Sequence, residues 1–145
     1  KFTNFKTDGS AGHDSNFPDT DFFLMRAAEA YLIYAEADAR MNGGTTTTDG
    51  AQYINALRNR AHATTHTAYS LRQICDEWSR EFYFEGLRRT TLVRFGYFGG
   101  DVNYNWSWKG GVKNGRNFDA HFNLFPIPAS DLTVNGNLVQ NQGYN

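Results

Sequence analysis

Glu77, Glu81 and Glu85 stand one helical turn apart in the stretch Ile74 to Phe98, which reads I-C-D-E-W-S-R-E-F-Y-F-E-G-L-R-R-T-T-L-V-R-F-G-Y-F. Two carboxylates spaced i, i+4 can approach the separation of about 5 Å used by retaining glycosidases, so acid-base hydrolysis is the first chemistry to weigh. Such carboxylates normally face each other across a cleft. These would project from one helix, beside an apolar stripe of Leu71, Ile74, Cys75, Trp78 and Phe82. Stacked like charges repel by a few tenths of a kcal/mol per pair unless cations meet them. Arg80, Arg88, Arg89 and Arg94 lie near in sequence, and Arg26, Arg58 and Arg60 fall on segments that read as neighbouring helices. The expectation is a structural lattice in which Arg26, Arg58, Arg60, Arg88 and Arg94 answer Glu77, Glu81 and Glu85. On that reading Glu81→Ala lowers stability and spares ligand binding.

Other chemistry has thinner support. His62 and His66 have a spacing found in zinc sites, but no Cys pair or nearby carboxylate completes four ligands, and His13 and His121 are isolated. They read as loop histidines, and no metal site is expected. No nucleophile elbow, Walker loop or dinucleotide glycine pattern occurs, so no cofactor is expected either. Asn105-Trp106-Ser107 fits a glycosylation acceptor in form only. The aromatic loop Tyr97 to Trp108 is the best binding candidate. Tyr104, Trp106 and Trp108 could stack on the flat C–H faces of sugar rings while Asn, Asp and Lys bond the hydroxyls. The alternative is that these rings anchor the loop to the helices.

A chain of 145 residues can bury a core as one domain without staples. A formal net charge of −1 gives no electrostatic reason to expect nucleic acid. The single cysteine, Cys75, sits on the apolar stripe and reads as a buried thiol. No apolar run approaches the roughly 18 residues of a membrane-spanning helix, and K-F-T-N-F-K has no signal-peptide core. A mature protein and an internal fragment would look the same in this respect.

Positioning these side chains falls to a series of helices. Residues 1 to 20 read as an entering loop. From Asp21 to Met41 one face carries Leu24, Ala28, Tyr31 and Ala35, with Ala27, Ala30, Tyr34 and Ala37 beside it, and Gly43-Gly44 ends the run. Its alanines admit a close neighbour, as in a helical hairpin. Asp49 and Gln52 have capping-box spacing for a second helix to about Ala63, with Tyr53, Ile54, Leu57 and Ala61 inward. Ser70 and Gln73 open a third to about Glu85, Gly86 permits a bend, and Leu87 to Phe95 form a short fourth. Beyond Gly96 the period is lost. Glycine pairs punctuate an aromatic segment, and Pro126 and Pro128 set an extended tail expected to lie along the helices.

Five blocks in register resemble the SusD/RagB-type outer-membrane nutrient-binding lipoproteins, and specifically their C-terminal portion. They are R-A-A-E-A-Y-L-I-Y-A-E-A from Arg26, I-N-A-L-R-N-R-A from Ile54, and R-E-F-Y-F-E-G-L-R-R from Arg80. W-K-G-G at Trp108, and F-P-I-P followed by N-L-V-Q-N-Q-G-Y, complete the set. Trp78 departs from the family's common Arg, and Thr91 from its frequent Asp, so the expectation is one ion pair fewer at each position. The resemblance implies an all-α fold of tetratricopeptide-like helical hairpins with long aromatic, glycine-rich loops packed on them. Residues 1–145 would be the C-terminal part of such a domain: 1–20 an entering loop, 21–95 the hairpins, 96–145 the loop-rich region and tail. Family members carry a longer N-terminal part with the lipid-bearing cysteine, so the chain is expected to be a fragment.

Three functions follow as expectations. The resemblance implies a non-catalytic subunit at the bacterial cell surface that captures oligosaccharide, or peptide as in some relatives, and passes it to a TonB-dependent SusC-like transporter. Its other partner would be the remaining N-terminal part of the same protein. A helical protein-interaction module is the second possibility, and a glycoside hydrolase using Glu77 and Glu81 the third.

Overall fold

The computed structural model describes residues 4–19, 21, 23–100, 105–108 and 111–144. Tyr104, one of the three aromatic candidates, lies outside them. The fold is all-α: α1 (Ala27–Met41), α2 (Thr48–Arg60), α3 (Leu71–Glu81), α4 (Arg88–Arg94), a 3₁₀ turn (Ala120–Asn123) and α5 (Ala129–Val134). Among the described residues only isolated β-bridges occur, and no helix is long and apolar enough to cross a membrane.

The first helix starts at Ala27, six residues later than the pattern from Asp21 suggests. Arg26 is extended (φ −134°, ψ 152°) because its guanidinium is held by Glu81 and Glu85 at and beyond the end of the third helix, and Leu24 is left 83% exposed. Ala28 and Ala35 of the expected face do pack, joined by Leu32 and Ala39, whereas Tyr31 stays exposed. Tyr31 and Tyr34 instead flank the ring of Tyr53 at 5.4 and 4.4 Å, at the edge of the α1–α2 seam.

Helix α2 is capped by Thr47, whose Oγ1 accepts from Gly50 N, and not by the Asp49/Gln52 pair. Asp38 of α1 is the reason. Its carboxylate accepts from Thr47 N (2.6 Å) and Thr47 Oγ1 (2.9 Å), fixing Thr47 outside the helix so that the chain turns inward at Thr48. Glycine at position 50 is required there, since a Cβ would run into the Asp38 carboxyl. The helix ends at Arg60, leaving Ala61 exposed and His62 at φ +53°.

Ser70 and Gln73 form the capping box of α3, each side chain bonding the other residue's backbone N–H. The two preceding loops are tied across by Thr46 N to Tyr69 O (2.9 Å) and Leu71 N to Gly44 O (3.0 Å). Helix α3 stops at Glu81 rather than Glu85. Phe84 (φ +66°) and Gly86 (φ +81°) take left-handed conformations that end it and turn the chain into α4. Leu32, Ala35, Ala51, Ile54, Leu57, Tyr69, Ile74, Trp78 and Phe82 form the core. Cys75 is buried, and burial pushes its thiol pKa up despite Arg88 nearby.

The tail folds back on its own approach. Gln140 bonds both polar backbone groups of Ile127, Asn141 Nδ2 donates to Phe125 O, and Tyr144 OH donates to Leu124 O. Its link to the helices runs through Arg89 of α4, which donates to the carbonyls of Phe122 and Asn123 and lies over the rings of Phe98 and Phe125.

Candidate functional site

Helix α3 carries its acids into a set of guanidinium groups. Glu77 Oε2 accepts from Arg58 Nη1 of α2 (2.7 Å) and from Arg80 Nη2 one turn on (2.7 Å). Glu81 Oε1 accepts from Arg26 (2.8 Å) and Oε2 from Arg60 of α2 (2.5 Å). Glu85, beyond the helix, takes a two-pronged contact from Arg26 at 2.8 Å per bond. Arg26 also donates to the carbonyl of Glu81 and lies 4.4 Å from the Phe82 ring centre, so one side chain joins the entry of α1 to the exit of α3.

The electrostatics follow from burial and pairing. Side chains of Glu77 and Glu81 are 8% and 7% exposed. Burial alone would raise the Glu81 pKa, but the hydrogen bonds and charges of Arg60 and Arg26 outweigh it and hold the carboxyl below its ordinary value. Hydrogen bonding to Glu85, and then to Glu81, raises the pKa of Arg26, and hydrogen bonding to Glu81 raises that of Arg60. A glycosidase general acid needs the opposite shift and a free oxygen turned to the substrate. Glu77 and Glu81 line a cavity of about 320 Å³ together with Arg58, His66, Tyr69 and Arg80, so two of the guanidinium groups share its wall with the acids. Burial raises the Tyr69 pKa, and its hydroxyl donates to Asn55 Oδ1 (2.5 Å). The His66 ring packs on Tyr69, and no group of three potential metal ligands gathers among the described residues.

Arg88 and Arg94 go elsewhere than to the α3 acids in the contacts seen. Arg88 Nη1 donates to the carbonyl of Cys75 (3.2 Å). Arg94 makes a two-pronged contact with Glu36 of α1, both closest distances 3.0 Å, and lies over the Trp78 ring. Glu36 is buried and also meets Arg40 at 2.9 Å. Sequence reasoning missed Glu36, and it named Arg89 only as a cation near the acids and not as the tie to Phe122 and Asn123. The signal for Glu36 was its register, one residue from Ala35 on the packing face, where a charge demands a partner.

The aromatic loop separates its two described tryptophans. Trp106 is half-buried between Phe98 (5.6 Å) and Phe118 (5.8 Å), and its backbone pairs with Arg116. Gly115 (φ +77°) crosses so close that a Cβ would lie 2.7 Å from the Trp106 carbonyl carbon. Trp108 is at the outer turn, where its N–H donates to Val112 O (3.0 Å), with φ +63° and 69% of its surface exposed. Trp106 fixes the loop and Trp108 faces outward.

A family model described as the SusD family matches residues 1–144. The chain belongs to the SusD family. It is 46% identical over 145 residues to the starch-binding protein SusD of Bacteroides thetaiotaomicron, covering 99% of this chain and 25% of that protein. It is 30% identical to SusD-like protein P2 of Formosa agariphila, covering 94% of this chain and 28% of the relative. The chain therefore spans about a quarter of the curated relatives it matches. Among solved structures, a SusD superfamily protein from Parabacteroides distasonis aligns with TM-score 0.71 at 23% identity, over 90% of this chain and 29% of that one. Surface glycan-binding protein A of Bacteroides uniformis aligns with TM-score 0.66 at 23% identity, over 86% and 28%. These two likenesses establish the shared helical fold.

Proposed function

We propose that these residues belong to a non-catalytic glycan-binding component of the bacterial cell surface, a lipoprotein whose lipid anchor lies outside this chain, that hands oligosaccharide to a TonB-dependent SusC-like outer-membrane transporter. The observation that carries the reading is the 46% identity, over 99% of the chain, to a relative named as starch-binding. The exposed Trp108 adds a flat apolar face of the kind sugar rings pack on. Trp106, half-buried, holds that loop in place. The principal binding surface lies in the rest of the family fold, and Trp108 is an accessory contact. The acids of α3 and of the turn after it serve as ties between segments: Glu77 to α2, Glu81 to α2 and the entry of α1, Glu85 to that entry.

Calorimetric titration with starch-derived oligosaccharides tests this. Trp108→Ala should weaken binding about 3- to 10-fold, the equivalent of roughly one stacking contact. Incubation products should contain no shorter sugars. Appearance of hydrolysis products that vanish in Glu81→Gln would reverse the assignment of the acids, and unchanged affinity in Trp108→Ala would remove the loop from the site.

A further inference from the structure

Glu77 uses its two oxygens unequally. Arg58 Nη1 (2.7 Å) and the Nη2 and Nε of Arg80 (2.7 and 3.1 Å) all donate to Oε2. Oε1 takes no hydrogen bond among the described residues. Glu77 is 6% exposed, and an acid buried to that degree ordinarily satisfies both oxygens, since an ionised carboxylate has about four acceptor sites. Nor is Oε1 sealed from solvent, as the indole nitrogen of Trp78 on the same helix is. It opens towards the cavity of about 320 Å³ that Glu77 lines.

The rest of that wall has donors to spare. Arg80 engages Glu77 through Nε and Nη2, which leaves Nη1 without a partner among the described residues, on a side chain 56% exposed. Gln73 accepts from Ser70 N and Oγ through its Oε1, and its Nε2 donates to none of the described residues. The charges on the wall cancel, Arg58 and Arg80 against Glu77 and Glu81. An anion entering here would meet the open carboxylate oxygen, and a cation would meet two guanidinium groups. The occupant that answers both sides is neutral and offers donors and acceptors together, which is what neighbouring hydroxyl groups do. Ala61 and Ala63 add short apolar side chains to the lining, on which the C–H face of a ring can rest. The volume is at the lower end of the about 300–1,000 Å³ usual for small-molecule sites, room for one ring and not for a chain of them.

We propose that this cavity binds a single neutral pyranose-type ring, at a site separate from the oligosaccharide surface proposed above. Glu77 Oε1 accepts from one ring hydroxyl, while Arg80 Nη1 and Gln73 Nε2 donate to its neighbours. Glu77 then has two roles on two oxygens: Oε2 ties α3 to α2, and Oε1 recognises the ligand. The site holds no hydrolytic pair. Glu81, the other acid of the wall, has both oxygens engaged, by Arg26 and by Arg60, and glycoside hydrolysis needs two working carboxyl groups.

Titration with D-glucose tests this in the complete protein that carries these residues, read from the ¹³C-methyl resonances of its alanines. The Ala61 and Ala63 methyls should shift and saturate at about 1–10 mM, the affinity of a few hydrogen bonds, while those of Ala28 and Ala35 in the core stay in place. Arg80→Ala leaves Glu77 paired with Arg58, so the fold should be kept and glucose affinity should fall about 10-fold. Ala61→Phe, at an exposed position on the wall, should block the cavity and remove the shift at Ala63. Absence of shifts at about ten times the stated concentration overturns the proposal, as does undiminished affinity in both variants. Tighter binding of D-glucuronate than of D-glucose would make the cavity an anion site and overturns it too. The calorimetric test of Trp108 and these methyl shifts report on different places, so either proposal can fail alone.

Discussion

Deleting the Glu81 carboxylate would leave Arg26 and Arg60 without their shared acceptor. Because that carboxylate is 7% exposed, Glu81→Ala should cost about 3 kcal/mol in urea unfolding, and oligosaccharide affinity should stay as it is. Its depressed pKa fixes the sign of the pH effect. The folded state binds the proton more weakly than the unfolded state, so the stabilisation is complete above the ordinary carboxylate range and is lost as pH falls through the folded value. Melting temperature should therefore fall on acidification below about pH 4.5, and less steeply in Glu81→Gln. The spacing of Glu77, Glu81 and Glu85 was legible in the sequence, as was the surplus of arginines. Which guanidinium meets which acid was not, because Arg26 reaches Glu85 across 59 positions and only the fold brings them together. Glu36 stayed hidden for the same reason, its bidentate partner Arg94 being 58 positions away.

At the scale of elements, local chemistry was readable where it competed with nothing else. The Ser70/Gln73 box closes within four residues, and it starts α3 where the pattern places it. Ser70→Ala should cost about 1 kcal/mol, read as a shift of the urea midpoint at constant slope. The start of α2 was misread because a tertiary contact chose the cap: Asp38 captures Thr47 and displaces Asp49 from that role. Gly50→Ala should cost about 1–3 kcal/mol by driving a methyl group into the Asp38 carboxyl. The penalty should shrink in Asp38→Ala, and a double-mutant cycle measures that coupling; additive losses would mean that the clash is relieved elsewhere. The late start of α1 has a related cause, since Arg26 must stay extended to reach α3.

For the molecule as a whole, helical period and block order disclosed the fold class, and neither could disclose how the second half is held. That region is fixed by single side chains bonding backbone groups, Gln140 on Ile127 and Arg89 on two carbonyls, which leave no periodic trace. Arg89→Ala should loosen Phe122 to Phe125 while the helices keep their protection, so amide exchange should rise there and not in α1 to α3. The Arg26 contacts have a kinetic side. They connect residues 55 and 59 apart, so a folding chain gains them only after closing a long loop, whereas the capped helices form early. Arg26 should then act as a brake on escape from the native state. Arg26→Ala would shorten the lifetime of the folded protein and leave its refolding rate nearly untouched.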